Sequence, residues 1–295
     1  MPAILAQAFL TELRVNTAGC DQETTMKRAS IAFVIALLAQ SVFAGYRYKV
    51  ESITSGMQDS TTSGVAEVEG KNLRFDVEHG DGAVFTDSSF VVSTNGGRTL
   101  SVVDPSSKTY FEISLDQLSG GISTMMQSMG GMMKMTVANP KVSVRDLGNG
   151  DKIEGYDTQR KAIDASYDMN IEMMGQKMAM NMSMSTESWM TSQIPLDSAS
   201  FLQTGELHTG IPEIDKLLAL QAKSLNGFPL KQVTMIHINQ MGQQMDIKTT
   251  TNVSGIEKKT IAASQFVVPA GYTKTDSPID KMLKAMSGVG APPRQ

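Results

Sequence analysis

From residue 45 onward the chain alternates apolar and polar positions in short runs. "YRYKVESI" begins the pattern, and "GVAEVEG" and "KNLRFDVE" flank a tight turn at Gly70 and Lys71. "SSFVVST", "RTLSVVD" and "KTYFEIS" follow, with Asn95, Gly96 and Gly97 and then Asp104, Pro105 and Ser106 at the turns between them. A period of two, broken at regular intervals by turn residues, predicts an antiparallel meander. The period changes over 114–135, where "LDQLSGGISTMMQSMGGMMKM" predicts a helix weakened by glycines. Strands are expected again in "KVSVRDLGNGDKIEGYDTQRKAIDASYDMNIEMM", with a turn from Gly148 to Asp151, and in "QKMAMNMSMSTESWM". Short helices are predicted at "DSASFLQT" and "IPEIDKLLALQAK". "PLKQVTMIHINQ" and "QMDIKTTTNVSGIEKK" predict a long hairpin about "MGQ". "AASQFVVPAGYTK" closes the domain. A small helix "SPIDKMLKAM" and a disordered tail "SGVGAPPRQ" are expected after it.

Before residue 45 the pattern is of another kind. "MKRASIAFVIALLAQSVFA" has a basic pair, Lys27 and Arg28, an apolar run from Ile31 to Ala39, and small residues before Gly45. These are the three parts of a secretory signal peptide, with cleavage after Ala44. The apolar run is well short of the about 20 residues that span a bilayer. The expectation is an exported periplasmic or secreted protein that is not integral to the membrane. Residues 1–25 are then an upstream extension from a mis-assigned start, 26–44 the signal peptide, 45–275 one domain and 276–295 the short helix and tail.

The lone cysteine, Cys20, falls before the expected cut. The mature chain therefore has no disulfide, thiol nucleophile or cysteine metal site, and its stability depends on its core. Net charge is −4, and the removed segment carries equal numbers of acidic and basic side chains, so the mature balance is unchanged. Neither a nucleic-acid partner nor a polybasic membrane patch is expected.

The meander ending "VVDPSSKTYFEIS", together with "GNGDKIEGYDTQRKAI", "STESWM", "LNGFPLKQVT" and "SQFVVPAGYTK", resembles a bacterial exported family of unknown function. That family is in turn similar to the lipoprotein carriers LolA and LolB. The resemblance implies an α+β fold: a strongly curved antiparallel sheet, or half-barrel, with helices packed on its concave side over a cavity that accepts acyl chains. In the carriers an arginine on an early strand helps close the cavity, and Arg74 in "NLRFD" is the corresponding candidate.

Methionine is unusually common, at 22 residues, whereas aromatic residues make up only 6%. Met125, Met126, Met129, Met132 and Met133 have helical spacing. Met178, Met180, Met182 and Met184 fall at every second position, on one face of a strand. Thioether side chains are unbranched and polarizable and re-pack around varied apolar shapes. Two such faces, one soft helix and one strand, suit an adaptable cavity for a lipid-like or other apolar ligand, with Trp189 plugging one end. Three readings remain open beside it: a methionine-heavy core with no ligand, an envelope interaction module with a protein partner, and a Cu(I) site. Thioethers select Cu(I), and Met235, His237, Met241 and Met245 are the candidate ligands.

Catalytic signatures are lacking. The three histidines, His79, His208 and His237, have no zinc-type spacing. "GVAEVEGKN" has the wrong glycine spacing and the wrong context for a phosphate loop, and no Gly-x-Ser-x-Gly elbow occurs. His79 lies among Asp76, Glu78 and Asp81 in what reads as a solvated turn. A non-enzymatic protein without a cofactor is expected.

Overall fold

The computed structural model describes residues 45–56, 59–81, 85–114, 133–173, 176–195, 227–240, 242–278 and 280–281, and several helical positions between 212 and 223. Residues 1–44, the methionine segment 115–132, the segment 197–204 and the tail 287–295 lie outside the described residues. Among the described residues, no helix is long and apolar enough to cross a membrane.

The alternating runs become strands. In the first half these are β1 (Gly45–Ser55), β2 (Ser60–Glu69), β3 (Asn72–Gly80), β4 (Phe90–Ser93), β5 (Thr99–Asp104) and β6 (Thr109–Ser114). Longer strands follow: β7 (Met133–Asn149), β8 (Gln159–Met173), β9 (Gln176–Thr191), β10 (Phe228–Gln240) and β11 (Gln243–Lys259). A two-residue strand, β12 (Thr273–Lys274), ends the set. They form one open sheet in the order β12-β6-β5-β4-β3-β2-β1-β11-β10-β9-β8-β7. Every pairing is antiparallel except that of β12 with β6. The expected antiparallel sheet is therefore present, and it is not closed. The helices expected against its concave side fall largely outside the described residues. Met133 corrects one boundary: it was expected in the methionine helix, but its backbone opens β7 opposite Met173. The ladder to β8 supplies the backbone hydrogen bonds that a glycine-weakened helix end would hold poorly.

The final helix starts where the sequence places it. Ser277 Oγ accepts from the Asp280 amide at 3.0 Å, and Asp280 Oδ2 accepts from the Ser277 amide at 3.1 Å, with Pro278 between them. This reciprocal cap satisfies two otherwise orphaned donors.

Directly paired residues of an antiparallel ladder put their side chains on the same face, so the register sorts the molecule into two faces. One face of β1–β6 carries the main core: Tyr48, Leu73, Phe75 and Val91 are fully buried there, with Phe228 and Leu230 of β10 packed against them. Tyr48 meets Phe228 edge to face at 5.2 Å, and burial pushes its phenol above the usual tyrosine range. The turn between β7 and β8 reaches the same core. Ile153 and Tyr156 pack on it, and Glu154 accepts from the Gly255 amide of β11 at 2.9 Å. A smaller core on the opposite face joins Phe90, Val92 and Val103 to Tyr110, Val268 and Tyr272.

Gly64 on β2 lies against the Phe75 ring. A Cβ there would sit 2.2 Å from the Asp76 carbonyl oxygen and 2.8 Å from the ring. Gly64→Ala is therefore expected to force both apart and cost about 1–3 kcal/mol. Phe228→Ala empties the centre of the core and is expected to cost about 3–5 kcal/mol. Chemical denaturation of the two variants checks both values.

Candidate functional site

The four strand methionines lie on the face that carries the main core. Met182 pairs with Tyr167 on β8 and Ile238 on β10, and Ile238 with Met245 on β11. Met184 lies in the next row with Ala165, Ile236 and Ile247, while Met180 is opposite Met169 and Met178 opposite Ile171. These rows form an apolar area across β8–β11. All four methionines are half-buried, whereas Ala179 and Asn181 between them are exposed. Ile236, Ile238, Met245 and Ile247 are half-buried as well. Gln240 donates to Met178 Sδ at 2.7 Å, and burial raises the Tyr167 phenol above its ordinary range.

A belt of hydroxyls separates this area from the core. Thr186 pairs in turn with Thr234, Thr249, Thr54 and Ser60 along one row, and Ser188 with Gln232, Thr251, Ser52 and Thr62 along the next. Thr186 and Thr234 are bonded at 3.1 Å, Thr54 and Thr249 at 3.0 Å, and Ser52 and Thr251 at 3.2 Å. Beyond the belt the face is apolar again, at the buried Val50 and Val253. Cross-strand hydroxyl pairs satisfy one another without water, so the belt is compatible with a dry surface.

Two residues expected in the cavity lie elsewhere. Trp189 has the opposite parity to the methionines, so its side chain is on the other face. There Lys231 sits over its ring at 4.8 Å and Arg160 at 5.3 Å, and Arg160 is in turn paired with Glu187. The buried residue at that point is its neighbour, Met190. Arg74 is also on the other face. It grips Asp76 through Nε at 2.8 and 3.0 Å and Nη2 at 2.6 Å, donates to the Gln265 carbonyl at 3.2 Å, and stacks over Phe90 at 4.0 Å. From there it does not reach the methionine rows; it ties β3 to the segment after β11. Met125, Met126, Met129 and Met132 lie outside the described residues.

The copper set is divided in the same way. Met235 and His237 share the outer face, and His237 Nδ1 lies 2.7 Å from Asp246. Met245 pairs with Ile238 and is on the methionine face, and Met241 is outside the described residues. The two-residue turn of the hairpin fixes this split, because it sets Gln240 opposite Gln243 and the parity follows. Among the described residues no three His, Cys, Asp or Glu side chains come together as a metal site. His79 lies 3.1 Å from Asp81 and 3.3 Å from Asp87, and these carboxylates also accept from the Thr61 and Gly80 amides. That network pins the end of β3, as a turn should. His208 is outside the described residues.

The outer face is polar. Arg145 and Ser185 hold the Asp164 carboxyl below the usual carboxylate range, and Asn139 and Asn181 do the same for Asp168. A carboxylate with a depressed pKa stabilises the fold above its unfolded pKa, and that stability is lost as pH falls through the folded value. Thermal stability is expected to hold above about pH 4 and to fall below it. Asp164→Asn should flatten part of that fall in melts recorded across the acid range.

The parity itself can be tested. An aspartate at Met180 or Met182 places a charge on the half-buried apolar face and is expected to cost about 1–3 kcal/mol, against under about 1 kcal/mol at Ala179. Equal losses in thermal melts of the three variants would contradict the face assignment.

Several solved structures match the chain at low similarity. An uncharacterized conserved protein from Thermus thermophilus is 9% identical, with a TM-score of 0.35 over 84% of this chain and 99% of that one. A LolA superfamily protein from Nitrosomonas europaea is 12% identical, with a TM-score of 0.28 over 78% of this chain and 97% of that one. A domain of an outer membrane lipoprotein-sorting protein from Vibrio parahaemolyticus is 10% identical, with a TM-score of 0.28 over 80% and 94%. At these values the likenesses carry no argument about ligand or activity. No curated protein matches the chain. Residues 52–272 match the family described as a domain of unknown function, DUF4412, and the chain belongs to that family.

Proposed function

We propose that the chain is an exported, non-enzymatic binding protein whose methionine- and isoleucine-lined sheet face takes up a lipid-like ligand. The observation that carries this reading is the set of apolar rows across β8–β11, half-buried and set off from the main core by the hydroxyl belt. A plain core has no use for such a partition, whereas an amphiphile does: its tail lies along the thioethers and its polar end meets the hydroxyls. From Met178 to Met184 the strand advances about 20 Å at about 3.3 Å per residue, a span suited to a long acyl chain. Thioether side chains add adaptability to chains of different length and shape. The signal peptide read before Gly45 supports export. Met125, Met126, Met129 and Met132 carry the same chemistry at helical spacing, and the proposal gives them a part in the same site. The copper reading is not favoured, because Met235 and His237 are on one face and Met245 is on the other.

The test is titration of residues 45–295 with a fluorescent fatty-acid probe. Saturable binding is expected, weakened about tenfold or more by Met182→Asp and little changed by Ala179→Asp. A probe that fails to saturate, or that binds both variants as it binds the parent chain, would leave the methionine face as ordinary core.

A further inference from the structure

The same strands carry a groove of about 750 Å³, lined by polar residues of the outer face together with Pro140, Tyr167, Met182 and Ile238. Two adjacent rows form its floor. Asp168, Asn181, Asn239 and Gln244 pair across β8–β11, and beside them lie Ser166, Ser183, His237 and Asp246. Lys141 and Asn139 of β7 close one side. The groove is organised by its own bonds. Asn139 and Asn181 each donate to Asp168 at 2.6 Å, one to each carboxylate oxygen, and His237 is fixed on Asp246 at 2.7 Å. Asn139 reaches Asp168 because β7 bulges between Ala138 and Lys141, with Asn139 at a positive φ of 52°. A bulge of this kind re-aims a side chain that would otherwise follow the ladder.

The lining chemistry selects among ligand classes. A hard cation needs several convergent oxygens, but both Asp168 oxygens are taken by amides and Asp246 faces an imidazole. An anion would meet two carboxylates against one lysine. An apolar ligand would strip water from amides and hydroxyls without replacing their bonds. What remains is a neutral ligand that both donates and accepts at many points. Amides and hydroxyls provide both roles, and strands about 4.8 Å apart repeat them at close to the pitch of a sugar ring. We propose that this groove is a saccharide-binding site, reading ring hydroxyls through Asn181, Asn239 and Gln244, with Asp168 holding Asn181 in place. Its polar rows are on the opposite side of the sheet from the apolar side chains, and the proposal rests on those polar rows alone.

The test is calorimetric titration of residues 45–295 with maltotriose, cellotriose and chitotriose at millimolar concentrations, with inorganic phosphate and calcium in parallel. At least one sugar is expected to bind saturably, and phosphate and calcium are not. Asn181→Ala and Gln244→Ala should each weaken that sugar about tenfold. Lys259→Ala, remote from the groove, should leave it unchanged. Thermal melts identify any variant that has lost its fold, and Gln244, an exposed residue, gives a second readout where Asn181→Ala is damaged. Binding of the fatty-acid probe should be the same in both groove variants. The proposal is overturned by the absence of saturable binding for all three sugars, by groove variants that bind as the parent chain does, or by phosphate or calcium binding in their place.

Discussion

The pairing of β1 with β11 is the constraint on which the molecule depends. Among the described strands it is the pairing that joins the first meander, β1–β6, to the second, β7–β11. The seam connects residues about two hundred positions apart: Ser52 meets Thr251 across 199 residues of sequence. Once it is made, a single alternation of inward and outward side chains runs through both halves. The core of the first half and the methionine rows of the second then fall on one face, while Arg74, Trp189 and the carboxylate networks fall on the other. Slipping the seam by one residue would exchange the faces of one half relative to the other. Such long-range pairing is intrinsically slow to form, because loop-closure entropy is lost before the contacts reward it.

The strands were legible where one face is wet and the other dry, as in β1, β3 and β9; β4, buried on both faces, was legible as a short apolar run between turns. "YRYKVESI", "NLRFDV" and "MAMNMSM" all show the period, and β1, β3 and β9 follow it. The same parity held information about the site residues. In "NLRFDV" the buried residues are Leu73, Phe75 and Val77, so Arg74 must point away from them. Trp189 is odd in a strand whose methionines are even. A two-residue hairpin turn places Met245 with Ile238 rather than with His237. In each case a residue type that suited a function was grouped with neighbours it could not face. The Asn139–Asp168–Asn181 cluster was not legible in this way. It depends on a bulge in β7, and the ladder it interrupts is formed with residues some thirty positions away.

The two faces of β8–β11 have opposite solvent character on one thickness of backbone. Around Met180 and Met182 the inner rows are mainly thioether and branched aliphatic, and the two outer rows through Asn181 and Ser183 are amide, hydroxyl, carboxylate and imidazole. A strand can do this only by strict alternation, which explains why β9 reads so regularly as methionine, then small or polar. The hydroxyl belt is the exception to the inner pattern. Three of its hydroxyl pairs are bonded to each other across the strands, so they divide the face at little energetic cost.

The methionine rows have a chemical consequence of their own. A half-buried thioether is open to peroxide and hypohalous acids, which add one oxygen to sulfur and turn an apolar side chain into a strongly dipolar sulfoxide. Four such sulfurs, from Met178 to Met184, lie in one line on one strand. Oxidation there would not break the β9 ladder, whose bonds are all backbone. It would change the face from apolar to polar, and sulfoxide reductases could restore it. A surface built from leucine would have had the same dryness and none of this reversible chemistry.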